Sequence, residues 1–282
     1  MTPEFQRNVD QIIREIHSLD DRTIAEVLRE LRALQKQVAL EVKASVGNEL
    51  TLSRLMQAQH AIEIHIRAFE NEAARAISDS LGQAFDLGEK LIAEPMKTLG
   101  LSASYSLTKE IVQTLTGFTA DRIKGLTNQV RDRINGVLHR AVLTRMNAAQ
   151  AIEEIGSVLD STGAFKEVAY RAERIYRTEI LRIFSMASDM KMQEQANNMK
   201  VAGYEMLKGW LATLDLRTRP SHRLAMLRYM QNPIAVDEAF QVGDDELMYP
   251  RDPNGSAEET ILCRCVSAPI VRRIAQSERL AA

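Results

Sequence analysis

Proline is absent from residues 96 to 219. The seven prolines stand at Pro3, Pro95, Pro220, Pro233, Pro250, Pro253 and Pro269. Inside a helix a proline removes a backbone donor and clashes with the preceding turn, at a cost of about 3 kcal/mol or more, so a long proline-free interval is what long helices require. The expected fold class is therefore α+β and predominantly α-helical: long N-terminal and central helices, then a small C-terminal α+β module where glycine, proline and acidic turns return. The expected organisation is an N-terminal helical hairpin region over 1–100, a central helical domain over 101–200, the small module over 201–271 and a tail over 272–282.

Periodicity fills in the helices. Asp20 and Asp21 stand where N-caps belong, and Ile24, Val27, Leu31, Leu34 and Val38 follow at alternating steps of three and four, a narrow seam of the coiled-coil kind. A second helix, opening near Thr51 or Ser53, carries Leu55, Ile62, Ile66, Phe69, Ala73, Ile77 and Leu81 along one face. A hairpin turn is expected within "SVGNEL", 45–50. Further helices are expected over 86–99, over 104–142 with a break near "TGFTAD", over 147–160 and over 166–199. "GYEMLKGWLATLDLRTR" alternates well enough for one or two strands.

Composition narrows the function classes. With 282 residues, 45% apolar content and a net charge of −2, the chain can bury a full core, and its overall charge calls neither for nucleic acid nor for an anionic membrane. No stretch approaches about 18 continuous apolar residues, so no membrane partner is expected. "MTPEFQRNVDQ" has no basic segment followed by an apolar one, and two cysteines make no disulfide framework, which together predict a reducing cytoplasm.

Several features read as ordinary surface or core. His60 and His65 of "HAIEIH" lie about 140° apart on a helix and cannot share a metal, so that segment, Glu63 included, is expected to be a solvated flank. Met186, Met190, Met192 and Met199 read as pliable core. Arg122, Lys124, Arg131, Arg133, Arg140 and Arg145 make 121–146 the most basic stretch; if Arg131, Arg133, Arg140 and Arg145 met DNA, phosphate neutralisation would make binding sequence-independent. Glu179 interrupts the apolar stripe Val168, Ala172, Ile175, Ile183, Met186 and Met190. A carboxylate there needs a partner, and "YRTEILR" and "DLRTRPSH" supply arginines.

Both cysteines fall in "ETILCRCVSAP" as Cys263 and Cys265, and bridging residues i and i+2 would close a small, strained ring. A metal, a redox pair or a small buried hinge all fit. Period-2 alternation would point both thiols inward and Arg264 outward.

The ordered set "AERIYRTEILRIFSMA", "GWLATLDLRTRPSHRLAM" and "MYPRDPNGSAEETILCRCVSAPIV" resembles the phage Mu F-protein-like family of head morphogenesis or minor head proteins. The resemblance covers about 105–270 and falls on Arg177, Thr178 and Glu179, on Trp210, on Asp215, Arg217, Thr218, Arg219 and His222, on Pro250, Asp252 and Pro253, and on Cys263, Arg264 and Cys265. Relatives often have a Leu-Asp-Gly turn after the histidine element, whereas "RLAMLRYM" lacks the glycine. Many also carry a Cys-Pro-x-Cys where this chain has Arg219 to His222, and a histidine where it has Thr260.

The resemblance implies a low-copy virion component associated with the portal or inner capsid during head assembly. The expected partners are portal or major capsid protein and, non-specifically, packaged DNA; no small-molecule substrate and no enzymatic activity are expected. The location would be the virion, after assembly in the host cytoplasm. The alternatives are a DNA-binding accessory factor for packaging or ejection, or a hydrolase using Asp215, His222 and Cys263. No cofactor is expected, with zinc on His222, Cys263, Cys265 and Asp215 kept as the metal option. The favoured arrangement is a structural fastener in which Arg217, Arg219 or Arg264 pairs with Glu179 or Asp215.

Overall fold

The computed structural model describes residues 2–46, 52–101, 110–144, 146, 148–159 and 164–274. The chain is predominantly helical, with a small C-terminal sheet of antiparallel strands. Its helices are α1 (Pro3–Val46), α2 (Leu52–Lys97), α3 (Glu110–Leu143), α4 (Ala148–Leu159), α5 (Ala164–Val201), α6 (Pro220–Gln231) and the single turn α7 (Ala257–Thr260). The turn expected within 45–50 falls largely on residues outside those described, as do Arg145 and 275–282 of the expected tail.

Several helix limits differ from expectation. Asp20 is not an N-cap: α1 opens at Pro3, where Thr2 Oγ1 accepts from the Phe5 amide at 3.2 Å, and it runs through Asp20 without interruption. Phe5, Val9, Ile12, Ile16 and Leu19 are buried and carry the three-four seam upstream of Ile24, so one stripe spans the whole helix. Similarly, α2 continues through 81–86, with Pro95 tolerated in its last turn, and α3 passes through "TGFTAD" without the expected break. "RLAMLRYM" is helical, within α6.

The chain forms two compact units, each assembled from separated stretches. One comprises Arg22–Asp79 and Thr114–Tyr176. Its core is the α1 seam, the α2 stripe from Ile62 to Ile77, and Ile123, Leu126, Val130, Ile134 and Leu138 of α3, all buried. Tyr176, buried on α5, donates its hydroxyl to the Ala73 carbonyl at 3.0 Å.

The other unit comprises Met1–Asp21, Ser80–Gln113 and Arg177–Ala282. Here α5 is buried on nearly all sides from Thr178 to Met192. Gly88 of α2 permits a close approach: a Cβ there would stand 2.5 Å from the Phe184 carbonyl oxygen and 2.7 Å from Ala187 Cβ. The sheet has the order β2-β1-β5, with β1 (Tyr204–Leu211) central, β2 (Ile234–Ala235) on one edge and β5 (Val266–Arg273) antiparallel along its full length, Tyr204 facing Arg273 and Leu211 facing Val266. A hairpin of β3 (Phe240–Val242) and β4 (Asp245–Leu247) closes the module, turning at Gly243, whose φ is +59°.

Candidate functional site: a buried thiol, imidazole and guanidinium cluster

The core of the C-terminal module places two thiols among aromatic rings. Trp210 from β1, Ala225 and Tyr229 from α6, Phe240, Val242 and Leu247 from the hairpin, and Cys263 and Cys265 from the segment entering β5 form one buried cluster. Trp210 stands edge-on to His222 with centroids 5.5 Å apart, and edge-on to Phe240 at 5.3 Å. Both cysteines are free, and they face inward while Arg264 faces Asp215, as alternation along an extended segment requires.

His222 connects the thiols to a carboxylate. Its Nδ1 lies 3.2 Å from Cys265 Sγ and 3.7 Å from Cys263 Sγ, and its Nε2 lies 2.8 Å from Glu259 Oε2. Pro220 at the first position of α6 sets up this helix, whose inner face carries His222, Ala225 and Tyr229 at steps of three and four. Glu259 is positioned by α7, where Ser256 Oγ accepts from the Glu259 amide, and Ser221 Oγ donates to its carboxylate at 2.9 Å.

Arg251 completes the cluster and was not anticipated from the sequence. It is fully buried, with backbone φ +70°. Its Nη1 donates to the Cys263 and Cys265 carbonyls at 2.8 Å each and lies 3.8 Å from Cys263 Sγ, and its Nη2 donates to Ser185 Oγ of α5. Burial alone would raise the Cys263 thiol; hydrogen bonds from Cys265 and His222, with the Arg251 charge, prevail and hold it well below the usual thiol range. The Cys265 thiol is pushed well above that range, first by its hydrogen bond to Cys263 and then by burial. The two thiols are thus pushed in opposite directions, with the Arg251 guanidinium 3.8 Å from the Cys263 sulfur.

The remaining residues of the motif set brace this cluster from several sides. Arg177 Nη1 donates to the buried Asp20 carboxylate at 2.5 Å, and Thr178 Oγ1 accepts from the Leu262 amide at 3.2 Å. Glu179, 1% exposed, is held by Arg182 Nη1 at 2.9 and 2.7 Å, while Arg182 Nε donates to the Arg251 carbonyl at 3.0 Å. The partner of Glu179 thus comes from "YRTEILR", one helical turn away, and not from Arg217, Arg219 or Arg264.

Arg264 Nη2 meets Asp215 Oδ2 at 2.5 Å, which is the expected fastening pair. That hydrogen bond and the Arg217 backbone amide outweigh partial burial and hold the Asp215 carboxyl down at about 2. Arg217 stays exposed, 3.8 Å from the same carboxylate, and Thr218 donates to the Thr213 carbonyl. Arg219 donates to the Ile261 carbonyl at 2.6 Å. Pro250 and Pro253 flank a loop that Asp252 clasps, accepting from the Met248 and Asn254 amides at 2.9 Å each. His17 belongs to this region too: burial and the charges of Arg251, Arg264 and Arg177, against Asp21, lower its imidazole to about 4.

The zinc option can be tested against this geometry. His222 Nδ1 and the Sγ atoms of Cys263 and Cys265 lie within 4.8 Å of one another, which suits three corners of a zinc tetrahedron, and Glu259 on Nε2 would be its outer carboxylate. Asp215 does not join them, because Arg264 holds it. The donors fit, and a bound zinc would tie α6 to the start of β5.

The basic stretch of α3 is occupied by its own neighbours. Arg131 Nε donates to Glu63 at 2.6 Å, Arg133 meets Glu167 at 3.4 Å and Arg140 meets Glu154 at 3.0 Å. His60 is exposed and His65 pairs with Glu41 at 3.2 Å, so the two histidines do not converge.

No helix among the described residues is long and apolar enough to cross a membrane. No family model and no solved structure matches the chain. Over 150 residues, 53% of this chain, it is 28% identical to the NAD(+)--arginine ADP-ribosyltransferase EFV of Enterococcus faecalis (strain ATCC 700802 / V583), and the aligned part spans 28% of that relative's length. The expectation of no enzymatic activity is corrected by this finding, since a protein named for catalysis aligns with about half of the chain at 28% identity.

Proposed function

We propose that the chain is a minor component of a phage head, associated with the portal or inner capsid and built in during head assembly. One observation carries this reading. Motif elements scattered from Arg177 to Cys265 converge on a single buried knot, in which Arg177 binds Asp20, Thr178 binds the backbone at Leu262, and Arg251 joins Ser185 to both cysteine carbonyls. Residues spent on fastening helices to a small sheet suit a part that must hold its shape within an assembly. Mass spectrometry of purified particles and of assembly intermediates tests it: the chain should be present in both at low copy, and absence from both would overturn the proposal.

A second reading, that the chain takes part in ADP-ribosyl transfer, is favoured by the 150 residues that align with a relative named as an arginine ADP-ribosyltransferase. Incubation with labelled NAD(+) and arginine-containing acceptor proteins tests it directly. Label transferred by this chain and lost on unfolding would support that reading, and absence of transfer would remove it.

A further inference from the structure

We propose that the outward face of α6 docks an acidic amphipathic helix of another protein, through two exposed leucines edged on both sides by arginines that meet no carboxylate among the described residues. Successive residues of a helix are about 100° apart, which puts Leu224 and Leu227 about 60° from each other, Arg223 about 40° beyond Leu227 and Arg228 about 40° beyond Leu224. Leu224 and Leu227 are 66% and 61% exposed, and both arginines are exposed too. The opposite face of the same helix, His222, Ala225 and Tyr229, is buried in the thiol cluster, so the orientation of this ridge is fixed by the core.

The ridge continues beyond the helix. Arg223 donates to the carbonyls of Thr218 and Asp215, which holds the turn carrying Leu216 against the Arg223 flank. Leu214 and Leu216 of that turn are 71% and 100% exposed, and Arg217 beside them is exposed as well. Single exposed leucines are ordinary, but four within fourteen positions, with Met230 of the same helix 38% exposed, mark a contact surface.

Charge selects the occupant. On α3, Arg131, Arg133 and Arg140 are each met by a carboxylate of the chain. By contrast, Arg223 bonds only to backbone carbonyls and Arg228 lies 5.3 Å over the Tyr229 ring, and among the described residues neither meets a carboxylate. A leucine ridge between two such rows complements a helix with one apolar stripe flanked by Asp or Glu on both sides, and arginine at the rim of an apolar contact is a common anchor. An unpatterned acidic polymer would leave the leucines in water, and a neutral apolar helix would leave both guanidinium rows unanswered.

The test uses the full chain with two synthetic helical peptides, each with one leucine stripe, one flanked by glutamates and the other by lysines. Titration calorimetry should give binding of the glutamate-flanked peptide, weakened at least tenfold by Leu224→Ser with Leu227→Ser, and no binding of the lysine-flanked one. Arg223→Glu with Arg228→Glu should reverse that preference. Arg228→Glu alone should weaken the glutamate-flanked complex severalfold and keeps the test valid if loss of Arg223 loosens the turn. Binding of neither peptide, or binding unmoved by these variants, overturns the proposal. So does concentration-dependent self-association abolished by the leucine variants, which would make a second copy the occupant, or binding to phosphatidylserine vesicles without binding to peptide.

Discussion

The Arg251 guanidinium and the Cys263 sulfur lie 3.8 Å apart, and the same Nη1 donates to the Cys263 and Cys265 carbonyls. Among the described residues no carboxylate comes within ion-pairing distance of this fully buried arginine, and its charge helps to hold the Cys263 thiol below the usual range. A charge this deep in the core is tolerable only when paired and hydrogen-bonded.

Arg251→Met should therefore destabilise the protein by about 3 kcal/mol or more, since it leaves two buried carbonyls and the Ser185 hydroxyl without their donor at once. Urea unfolding followed by Trp210 fluorescence reads this; a midpoint unchanged from the parent would show that the pairing contributes nothing.

Because both thiols are buried, Ellman's reagent should label neither Cys263 nor Cys265 in the folded chain, and both on unfolding. With Arg251 already joining both cysteine carbonyls to Ser185, the cooperative melt should survive chelation by EDTA. One zinc released per chain, with collapse of the melt, would reassign the cluster as a metal centre.

Acid sensitivity should come in part from His17. Its imidazole is lowered from 6.5 to about 4 on folding, so the unfolded chain binds the extra proton first. The stabilising contribution is complete above about pH 6.5 and is lost as pH falls towards 4, on the order of 3 kcal/mol in all. Asp215, lowered to about 2, loses its contribution at still lower pH, from about pH 4 down. In stability measured across pH 4–7, His17→Gln should flatten the upper limb and leave the lower one; a parallel curve would exclude His17 as its source.

Lys208 Nζ lies 3.2 Å from Asp189 Oδ1, and burial pushes the lysine down and the aspartate up. Removing one partner, Asp189→Ala or Lys208→Met, should destabilise by about 3–5 kcal/mol, whereas the double replacement should recover part of the loss. Additive losses in the double variant would show that the two groups do not interact.

Gly88→Val should be poorly tolerated, by about 1–3 kcal/mol, because its Cβ would overlap the Phe184 carbonyl and Ala187. Thermal melting reads the effect, and Gly82→Ala, with nothing within 4 Å of the added carbon, is the control that should be neutral or stabilising.

How much of this was readable beforehand depended on whether a residue belonged to a repeating pattern. The absence of proline and the three-four spacing of Ile24 to Val38 identify long helices because helix geometry repeats. Glu179 stood out for the same reason, as a break in a stripe, and its partner Arg182 lay in reach by local spacing. Asp20 resembled a cap because an acid before an apolar stripe usually is one. Only the matching stripe upstream, Phe5 to Leu19, shows that the helix does not begin there. Arg251 and Glu259 left no such mark. Arg251 sits in an irregular loop between prolines and Glu259 in a single helical turn, and their roles depend on a fold that joins 185, 222 and 263 in space.

The pair of Asp20 and Arg177 separates by 157 residues two groups that complete each other in the core. A ribosome adding about 5–20 residues per second exposes Asp20 roughly 10–30 s before it makes the arginine that neutralises it. Until then the first segment of α1 has an apolar stripe and lacks the arginine that pairs with Asp20 in the core, so the unit built on Arg177 can close only late in synthesis. Chains cut short before Arg177 are the ones that should reach chaperones and proteases unfolded.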